Sequence, residues 1–288
     1  METSANPAGG SPVALVTGAG VRVGRSIAIG LAEAGYDLVV HYRASRDGAR
    51  EVAELARERG RRAVIVGADL ADPSAPRRLA DEVRERAGRL DLLVNSASSF
   101  HGAELMEVGV SEWDRVMAVN LRAPFLLVRE TVDLLRAAGG SIINIVDLSA
   151  LQPWTSHPVH SVAKAGLLHL TRVMARSLAP EVRVTAVAPG GVLLPAHYGE
   201  AEAGRARRRV PVGRIGTPGD VVEAVRFLAR AEYVTGEVVV VDGGARRGVR
   251  DPEDDAGGGC SLGWRATRSS GDAALLLPWE VAQGLLWG

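Results

Sequence analysis

Three ionisable side chains in the middle of the chain have types and spacings suited to proton transfer. The stretch HPVHSVAKAGL (157–167) places His160 four residues before Lys164, and Asp147 lies thirteen residues before His160. An unperturbed imidazole titrates near pH ~6.5, and a neighbouring ammonium lowers that pKa whereas a carboxylate raises it. Such a group gives and takes protons near neutrality. The three residues therefore predict acid–base chemistry.

Lys164 is a candidate for a second reason. The chain has 34 basic residues, and Lys164 is the only lysine among them. Arginine does not replace a compact ammonium group where one is needed. A functional requirement would explain this lone lysine, and a general compositional bias toward arginine is the alternative.

A glycine-rich turn predicts a second kind of site. The stretch TGAGVRVG (17–24) lies between an apolar run, VALVT (13–17), and a segment with helical spacing. Glycines at such a point let the backbone approach a pyrophosphate, whose charge the helix N-terminus favours. We therefore predict a dinucleotide site that includes Thr17, Gly18, Arg22, Val23 and Gly24.

The residues after the second apolar run, DLVVHY (37–42), indicate which dinucleotide is bound. An acidic residue there binds the ribose hydroxyls of NAD, whereas basic residues accept the 2′-phosphate of NADP. The stretch HYRASR (41–46) has no acid before Asp47, and arginine binds phosphate through its planar fork. We predict NADPH/NADP+ as the cofactor, with a solvated arginine-rich loop as the alternative. The predicted contacts are Tyr42, Arg43, Ser45 and Arg46.

Apolar runs alternate with helical segments and predict the elements that position these residues. The runs are continuous rather than alternating, which is typical of strands buried on both faces. The order predicts an α/β fold with one Rossmann-type, doubly wound parallel sheet of about seven strands, and ligands bind beyond the carboxyl ends of such strands. Predicted strands cover 13–17, 37–42, 63–70, 90–98, 140–149, 182–190 and 236–244, and predicted helices cover 25–35, 48–60, 75–88, 111–137 with a bend near Pro124, 161–180 and 218–230.

The composition argues against several classes of partner and location. Basic and acidic residues number 34 each, so neither a nucleic acid nor a membrane surface is an expected partner. No apolar run approaches the ~18 residues needed to cross a bilayer. The single cysteine, Cys260, fits a reducing compartment, and the first residues lack a signal-peptide pattern. We expect a cytoplasmic protein without a metal, with a flexible leader (1–11), one domain (12–245) and a disordered or loosely docked tail (246–288).

Residues 13–244 resemble the short-chain dehydrogenase/reductase family. Thr17, Gly18 and Gly24 match its glycine turn, although Arg22 replaces the middle glycine. The family's pteridine reductase branch, which includes dihydrofolate and dihydromonapterin reductase-like members, has Arg at that place. It also has Asn-Asn-Ala-Ser-Ser-Phe where this chain reads NSASSF (95–100), and an Asp that matches Asp147. In this register His160 stands where the family has its catalytic tyrosine.

The resemblance implies roles for particular residues. Asp147, His160 and Lys164 would be catalytic, together with Asn120, whose backbone would hold a water of the proton relay. Lys164 would also bind the nicotinamide ribose. The implied substrate contacts are Arg22, Ser98, Phe100, Asp147 and His157, and the further implied cofactor contacts are Asp69, Leu70, Asn95, Ala97, Pro189 and Gly190. The alternatives are a simple phosphate clamp for Arg22, core packing for Phe100 and an exposed loop position for His157.

The histidine at residue 160 leaves three interpretations open. His160 is the working acid, or Asp147 with a water supplies the proton, or the chain binds NADPH without turnover. The resemblance implies an NADPH-dependent reductase that transfers a hydride to a small pterin or dihydrofolate-like molecule, as a homotetramer or dimer. The alternatives are a carbonyl reductase that acts on a 3-oxoacyl group or ketone, and a non-catalytic NADPH-binding regulatory protein.

Overall fold

Seven parallel strands form one sheet, as the sequence predicts. A computed structural model describes residues 10–193 and 200–247. The strands are β1 (Val13–Val16), β2 (Asp37–Tyr42), β3 (Ala63–Gly67), β4 (Leu92–Asn95), β5 (Ser141–Ile145), β6 (Arg183–Pro189) and β7 (Val238–Val241). Their order across the sheet is β3-β2-β1-β4-β5-β6-β7, and all neighbours are parallel. The order reverses between β1 and β4, so the ligand crevice is expected there.

The described residues contain eight α-helices, and helices from both sides pack on the two faces of this sheet. They are α1 (Arg22–Glu33), α2 (Arg46–Glu58), α3 (Ala75–Arg86), α4 (Val110–Met117), α5 (Ala123–Ala138), α6 (Pro158–Ser177), α7 (Glu200–Arg208) and α8 (Pro218–Arg230). On one face Ile27, Val52 and Val225 from α1, α2 and α8 belong to one apolar cluster. On the other face Leu79 and Leu127 from α3 and α5 belong to a second cluster. Because both faces are covered, the central strands can be apolar throughout.

The helix that carries His160 begins earlier than its sequence pattern predicts. We predicted a helix over 161–180, but α6 begins at Pro158. Proline is favoured in a first helical turn because its missing N–H group has no partner there in any case. The earlier start places His160 inside the first turn of α6, one helical turn before Lys164.

The long helix predicted over 111–137 is broken by one wide turn. A π-helical segment, Ala118–Arg122, joins α4 to α5. Pro124 lies in the first turn of α5, where its ring is tolerated, and the irregularity falls just before it. Single π turns inside helices are frequent at functional sites. This turn carries Asn120.

Several predicted strands are longer than the observed ones. The structure ends β3 at Gly67, β4 at Asn95 and β5 at Ile145. The residues that follow these strands therefore lie in loops at the carboxyl edge. The segment after β6, for which the sequence predicts no helix, contains the charged helix α7.

Some expectations fall outside the part of the chain that the structure describes. The predicted leader overlaps the described residues only at 10–11, and the predicted tail only at 246–247. Cys260 also lies outside them. Within the described ranges, no helix is long and apolar enough to cross a membrane.

A glycine contact between α1 and α8 offers a test of the packing. A Cβ atom added to Gly30 would lie 2.3 Å from Cγ1 of Val222, and a valine side chain on a helix has little freedom to rotate away. We expect Gly30→Ala to reduce the free energy of unfolding by about 1–3 kcal/mol. Urea unfolding of the single variant measures this loss.

The matched control is Val222→Ala, alone and in combination. The double variant removes the methyl groups that the new Cβ atom would strike, so it should be less destabilised than the sum of the two single variants. Additive losses would contradict the packing described for α1 and α8.

Candidate active site

Polar side chains tie the ends of the central strands together. The hydroxyl oxygen of Thr17, directly after β1, accepts hydrogen bonds from the backbone N–H groups of Ser96 and Ala97, each at 2.9 Å. The side chain of Asn95 donates to the side-chain oxygen of Asn144 at 2.8 Å. These contacts bring the ends of β1, β4 and β5 to one edge, as predicted for a ligand site.

The glycine turn after β1 is compact because its residues touch neighbouring backbone. Gly18 has φ +66°, and a Cβ atom on it would lie 2.9 Å from Cα of Ala97. A Cβ atom on Gly24 would lie 2.3 Å from the Gly18 carbonyl oxygen. Both positions therefore require glycine, and the turn leads directly into α1. No side chain caps the N-terminus of α1, so its first N–H groups are left to an anion such as a phosphate.

Arg22 adopts a backbone conformation that suits glycine better. Its φ is +52°, in the left-handed region, where a side chain costs roughly 1–2 kcal/mol. Arg22 is exposed at the first residue of α1, with Val23 half-buried behind it. The strain is consistent with a guanidinium retained for a ligand.

His41 supports the glycine turn, and the sequence analysis assigned it no role. It lies near the end of β2 and is buried. Its Nδ1 accepts from the Gly18 N–H at 3.1 Å, and its Nε2 is 3.1 Å from the carbonyl oxygen of Ala68. Burial lowers the pKa of His41 to about 4, so the ring is neutral with its proton on Nε2. A histidine inside an otherwise apolar strand was the available signal.

The end of β2 presents the basic residues expected to bind a phosphate. Arg43 and Arg46 are exposed, and neither guanidinium forms an ion pair or hydrogen bond among the described residues. Ser45 is the N-cap residue of α2, and Tyr42 packs close to Gly67 of β3.

The predicted adenine-contacting residues lie beside this basic loop. Asp69 accepts a hydrogen bond from the Ala71 N–H, and Leu70 is buried. That hydrogen bond, together with the charges of Arg115 and Arg43, lowers the pKa of Asp69 despite partial burial. The carboxylate is therefore ionised at neutral pH.

Asp147 and His160 form a short, largely buried pair. Nε2 of His160 lies 2.6 Å from Oδ2 of Asp147, and the His160 side chain is 3% exposed against 20% for Asp147. The other carboxylate oxygen accepts from the N–H and hydroxyl of Ser149. Burial raises the pKa of Asp147, but the His160 hydrogen bond and the Lys164 charge outweigh it and lower the pKa. The pair can share and move one proton.

Lys164 lies on the same side of α6 as His160 and is fully buried. Its Nζ donates to the carbonyl oxygen of Ile145 at 2.7 Å. Burial lowers its pKa, and the nearby Asp147 carboxylate acts in the opposite direction. The ammonium group is thus held beneath the end of β5, next to the Asp147–His160 pair.

Asn120 joins this group through the π turn. Its side-chain oxygen accepts from the Ser99 N–H at 2.7 Å, and its Nδ2 donates to the Ser99 carbonyl oxygen at 2.9 Å. The same Nδ2 lies 3.3 Å from Nδ1 of His160. The structure therefore brings together all four residues that the resemblance implied to be catalytic.

Aromatic rings line the outer side of the pair. Phe100, which is 55% exposed, stacks on His157 with ring centroids 4.1 Å apart. Phe100 also meets His160 edge to face at 4.8 Å. Trp154 lies nearly parallel to the His160 ring at 6.3 Å. The core-packing alternative for Phe100 is wrong, because much of its ring faces solvent.

Trp154 had no place in the sequence analysis, since no periodic pattern connects it to this site. Ser98, another predicted substrate contact, is exposed on the same loop as Phe100. His157 is the N-cap residue of α6, and burial lowers its pKa.

The last predicted cofactor residues lie at the end of β6. Pro189 pairs with Val241 of β7. The Gly190 N–H donates to the Val241 carbonyl oxygen at 2.9 Å, and a Cβ atom on Gly190 would lie 2.7 Å from Cβ of Asp242. Residue 190 therefore has to be small. It lies directly after β6, at the carboxyl edge of the sheet.

The residues along this edge fit a dinucleotide. The N-terminus of α1 and the exposed Arg43 and Arg46 suit phosphates, and Asp69 suits the adenine end. Lys164 suits a ribose hydroxyl at the other end.

Comparison with known proteins identifies the family. A family model described as enoyl-(acyl carrier protein) reductase matches residues 18–246. A protein of Streptomyces violaceoruber described as a ketoacyl reductase of the granaticin polyketide synthase is 36% identical over 244 residues, which cover 82% of this chain and 96% of that protein. The chain belongs to the short-chain dehydrogenase/reductase family. It is therefore an oxidoreductase by family.

Other relatives agree with this assignment. The 3-oxoacyl-[acyl-carrier-protein] reductase of Staphylococcus epidermidis is 34% identical over 237 residues, covering 80% of this chain and 97% of that protein. The solved acetoin dehydrogenase of Salmonella typhimurium superposes with a TM-score of 0.77 at 28% identity, covering 84% of this chain and 98% of that one. The short-chain dehydrogenase/reductase resemblance is confirmed. The names of these relatives match the carbonyl reductase alternative more closely than the pteridine reductase branch.

The neutral, buried His41 predicts a pH dependence of stability. Its folded pKa of about 4 lies below the unfolded value near ~6.5. The unfolded chain therefore binds more protons between these values, and stability falls as the pH drops from about 6.5 to 4. At ~1.4 kcal/mol per pKa unit, the contribution is up to about 3 kcal/mol.

Urea unfolding at several pH values tests this assignment. His41→Gln should lose most of this part of the pH dependence, whereas His169→Gln, at an exposed position of α6, should retain it. An unchanged pH profile in His41→Gln would show that His41 is not held neutral by burial.

Proposed function

We propose that this protein is an NADPH-dependent reductase of a carbonyl group, with a ketone or 3-oxoacyl compound as substrate. The observation that carries the proposal is the Asp147–His160 contact of 2.6 Å beside the buried Lys164. A polarised carbonyl oxygen needs a proton as hydride reaches its carbon, and this pair can supply one. The oxoacyl and ketoacyl reductases among the relatives support this choice.

Each polar residue has a distinct task in the proposed reaction. The bound cofactor supplies the hydride. Lys164 would hold the ribose next to the nicotinamide, and its charge stabilises the ionised Asp147. The Nε2–H of His160 would hold the ionised Asp147 in place, and the partly exposed carboxylate would orient a water toward the substrate oxygen. The substrate oxygen would take a proton from that water, and a proton from solvent would convert the remaining hydroxide back to water.

A pterin-like ring is the second candidate substrate. The half-exposed Phe100 stacked on His157 offers a flat apolar surface to a planar ring. A ring nitrogen or imine also needs less acid assistance than a ketone, so a carboxyl–imidazole pair suits it. This candidate retains the substrate contacts proposed for Arg22, Ser98, Phe100, Asp147 and His157.

The cofactor preference rests on the loop after β2. Arg43 and Arg46 are exposed and form no salt bridge within 4 Å among the described residues, and Arg22 at the start of α1 is exposed. A 2′-phosphate would bind between these guanidinium groups. The Ser45 hydroxyl would add a hydrogen bond.

Self-association is proposed from an apolar groove across the helices beside the site. The groove has a volume of about 530 Å³ and is lined by residues of α4, the π segment, α5 and α6, among them Met117, Leu121, Phe125 and Leu170. A second copy of the chain would cover it, in line with a dimer or tetramer.

The activity is tested by following NADPH oxidation with three substrates: an acetoacetyl thioester, a bicyclic ketone and dihydrobiopterin. We expect turnover with at least one of the two carbonyl compounds. Asp147→Asn and His160→Asn should each lower kcat by roughly 10²–10⁴-fold, because each removes half of the proton-donating pair.

NADPH binding, measured by fluorescence, separates the possible failures. Turnover with dihydrobiopterin alone would favour the pterin candidate. Tight NADPH binding without turnover on any substrate would favour a non-catalytic binding protein. Arg172→Gln, an exposed change on the same helix and outside the groove, should leave kcat unaltered.

Cofactor selectivity gives a separate test. Arg43→Ala should weaken NADPH binding by at least about 10-fold, since a charge-assisted contact contributes ~1.5–3 kcal/mol. NADH binding should change little, because NADH lacks the 2′-phosphate. Arg77→Ala, an exposed change on α3, is the control, and equal losses for both cofactors would contradict the assignment.

A further inference from the structure

We infer that the side chain of Asn120 is a positioning residue which fixes the tautomer of His160, with Nδ1 unprotonated and the ring proton on Nε2. The inference differs from the backbone role that the family resemblance implies for Asn120. Its consequence for rate rests on the proposed reductase function. The tautomer itself does not.

The orientation of the Asn120 amide follows from two backbone contacts. The Ser99 N–H donates to Oδ1 at 2.7 Å, and Nδ2 donates to the Ser99 carbonyl oxygen at 2.9 Å. Turning the amide over would place a donor against a donor and an acceptor against an acceptor. The amide is therefore held in one orientation by the backbone of a single residue.

The second N–H bond of this amide needs an acceptor. Asn120 is fully buried, and a buried donor without a partner is costly. Nδ1 of His160 lies 3.3 Å from Nδ2 and can accept that hydrogen when it carries no proton. The Ser99 carbonyl oxygen also lies 3.3 Å from Nδ1 and could accept from a protonated Nδ1, but that arrangement would leave the second N–H of Asn120 without an acceptor.

The opposite side of the ring leads to the same tautomer. Nε2 lies 2.6 Å from an Asp147 carboxylate whose pKa is lowered. An ionised carboxylate only accepts hydrogen bonds, so Nε2 has to carry a proton. A neutral imidazole has one ring proton, and both neighbours therefore place it on Nε2.

This arrangement places the ring proton of His160 on Nε2, which faces Asp147. Protonating Nδ1 as well would leave the second N–H of Asn120 facing a donor, so Asn120 opposes the doubly protonated ring. The titratable groups near the ring are Asp147, Lys164 and His157. Among these and the uncharged neighbours Ser99 and Asn120, only Asn120 offers a hydrogen-bond donor to Nδ1.

The first experiment needs no variant. Two-dimensional ¹H–¹⁵N NMR of the ¹⁵N-histidine-labelled protein at pH 8 distinguishes an unprotonated ring nitrogen from a protonated one. The His160 signal is assigned by its absence in His160→Asn. We expect an unprotonated Nδ1 and a protonated Nε2. A proton on Nδ1, in either the neutral or the doubly protonated ring, would overturn the inference.

The second experiment replaces the donor by an acceptor of nearly the same shape. Asn120→Asp keeps an oxygen for the Ser99 N–H but offers Nδ1 a carboxylate. We expect a protonated Nδ1 in the NMR spectrum, a kcat lowered by at least about 10²-fold, and an unchanged NADPH dissociation constant. An unchanged His160 spectrum would contradict the inference.

Arg172→Asp is the control, since it introduces a carboxylate at an exposed position of the same helix, more than three turns after His160. Its His160 signals should match those of the unaltered protein, and an Nδ1 proton appearing here too would overturn a specific role for Asn120. Activity with a protonated Nδ1 in the unaltered protein would refute the inference and leave the reductase function standing. The expected tautomer in a protein without turnover would support the inference and contradict the reductase function.

Discussion

A buried chain of hydrogen bonds attaches the helix of the active site to the sheet. Asn95 at the end of β4 donates to Asn144 on β5, and Asn144 donates to the Thr171 hydroxyl on α6 at 2.9 Å. Thr171 is two helical turns after Lys164, so the contact fixes both the height and the rotation of α6. The positions of His160 and Lys164 relative to Asp147 follow from that attachment. Polar groups inside an apolar core specify a single arrangement in this way, because any shift would leave them unpaired.

The sequence predicted the sheet well because its strands are buried on both faces. Continuous apolar runs such as 13–17 and 37–42 need no partner information to be recognised, and the residues that follow them fall at the carboxyl edge by topology alone. That logic placed Asp147 and Asn95 correctly. The same reasoning could not locate contacts that depend on the conformation of loops. Examples are the Trp154 ring, which lies parallel to His160, and His41, which contacts both Gly18 and Ala68. Helix α7 was missed because its charged, alanine-rich sequence has no apolar face to indicate a packed helix.

The proposed departure from the family pattern concerns chemistry more than shape. In the register proposed from the sequence, His160 would stand where the family has its catalytic tyrosine. A neutral hydroxyl group would then give way to an imidazole paired with the Asp147 carboxylate. Such a pair needs nearby compensation, which Lys164, Ser149 and Asn120 provide by charge and hydrogen bonds. The shared fold accommodates the exchange because the site lies in loops and helix ends beyond the strands.

The lone lysine also makes the active site chemically distinct from the surface. Each of the 34 Lys and Arg side chains other than Lys164 is a guanidinium, which does not react with activated esters under mild conditions, and the one ε-amine is fully buried beneath the end of β5. Burial lowers its pKa and so favours the reactive, unprotonated form, while the surrounding protein excludes the reagent. Acylation of Lys164 by an amine-selective label would therefore proceed only when α6 separates from the sheet, and its rate would report how often that end of the protein opens.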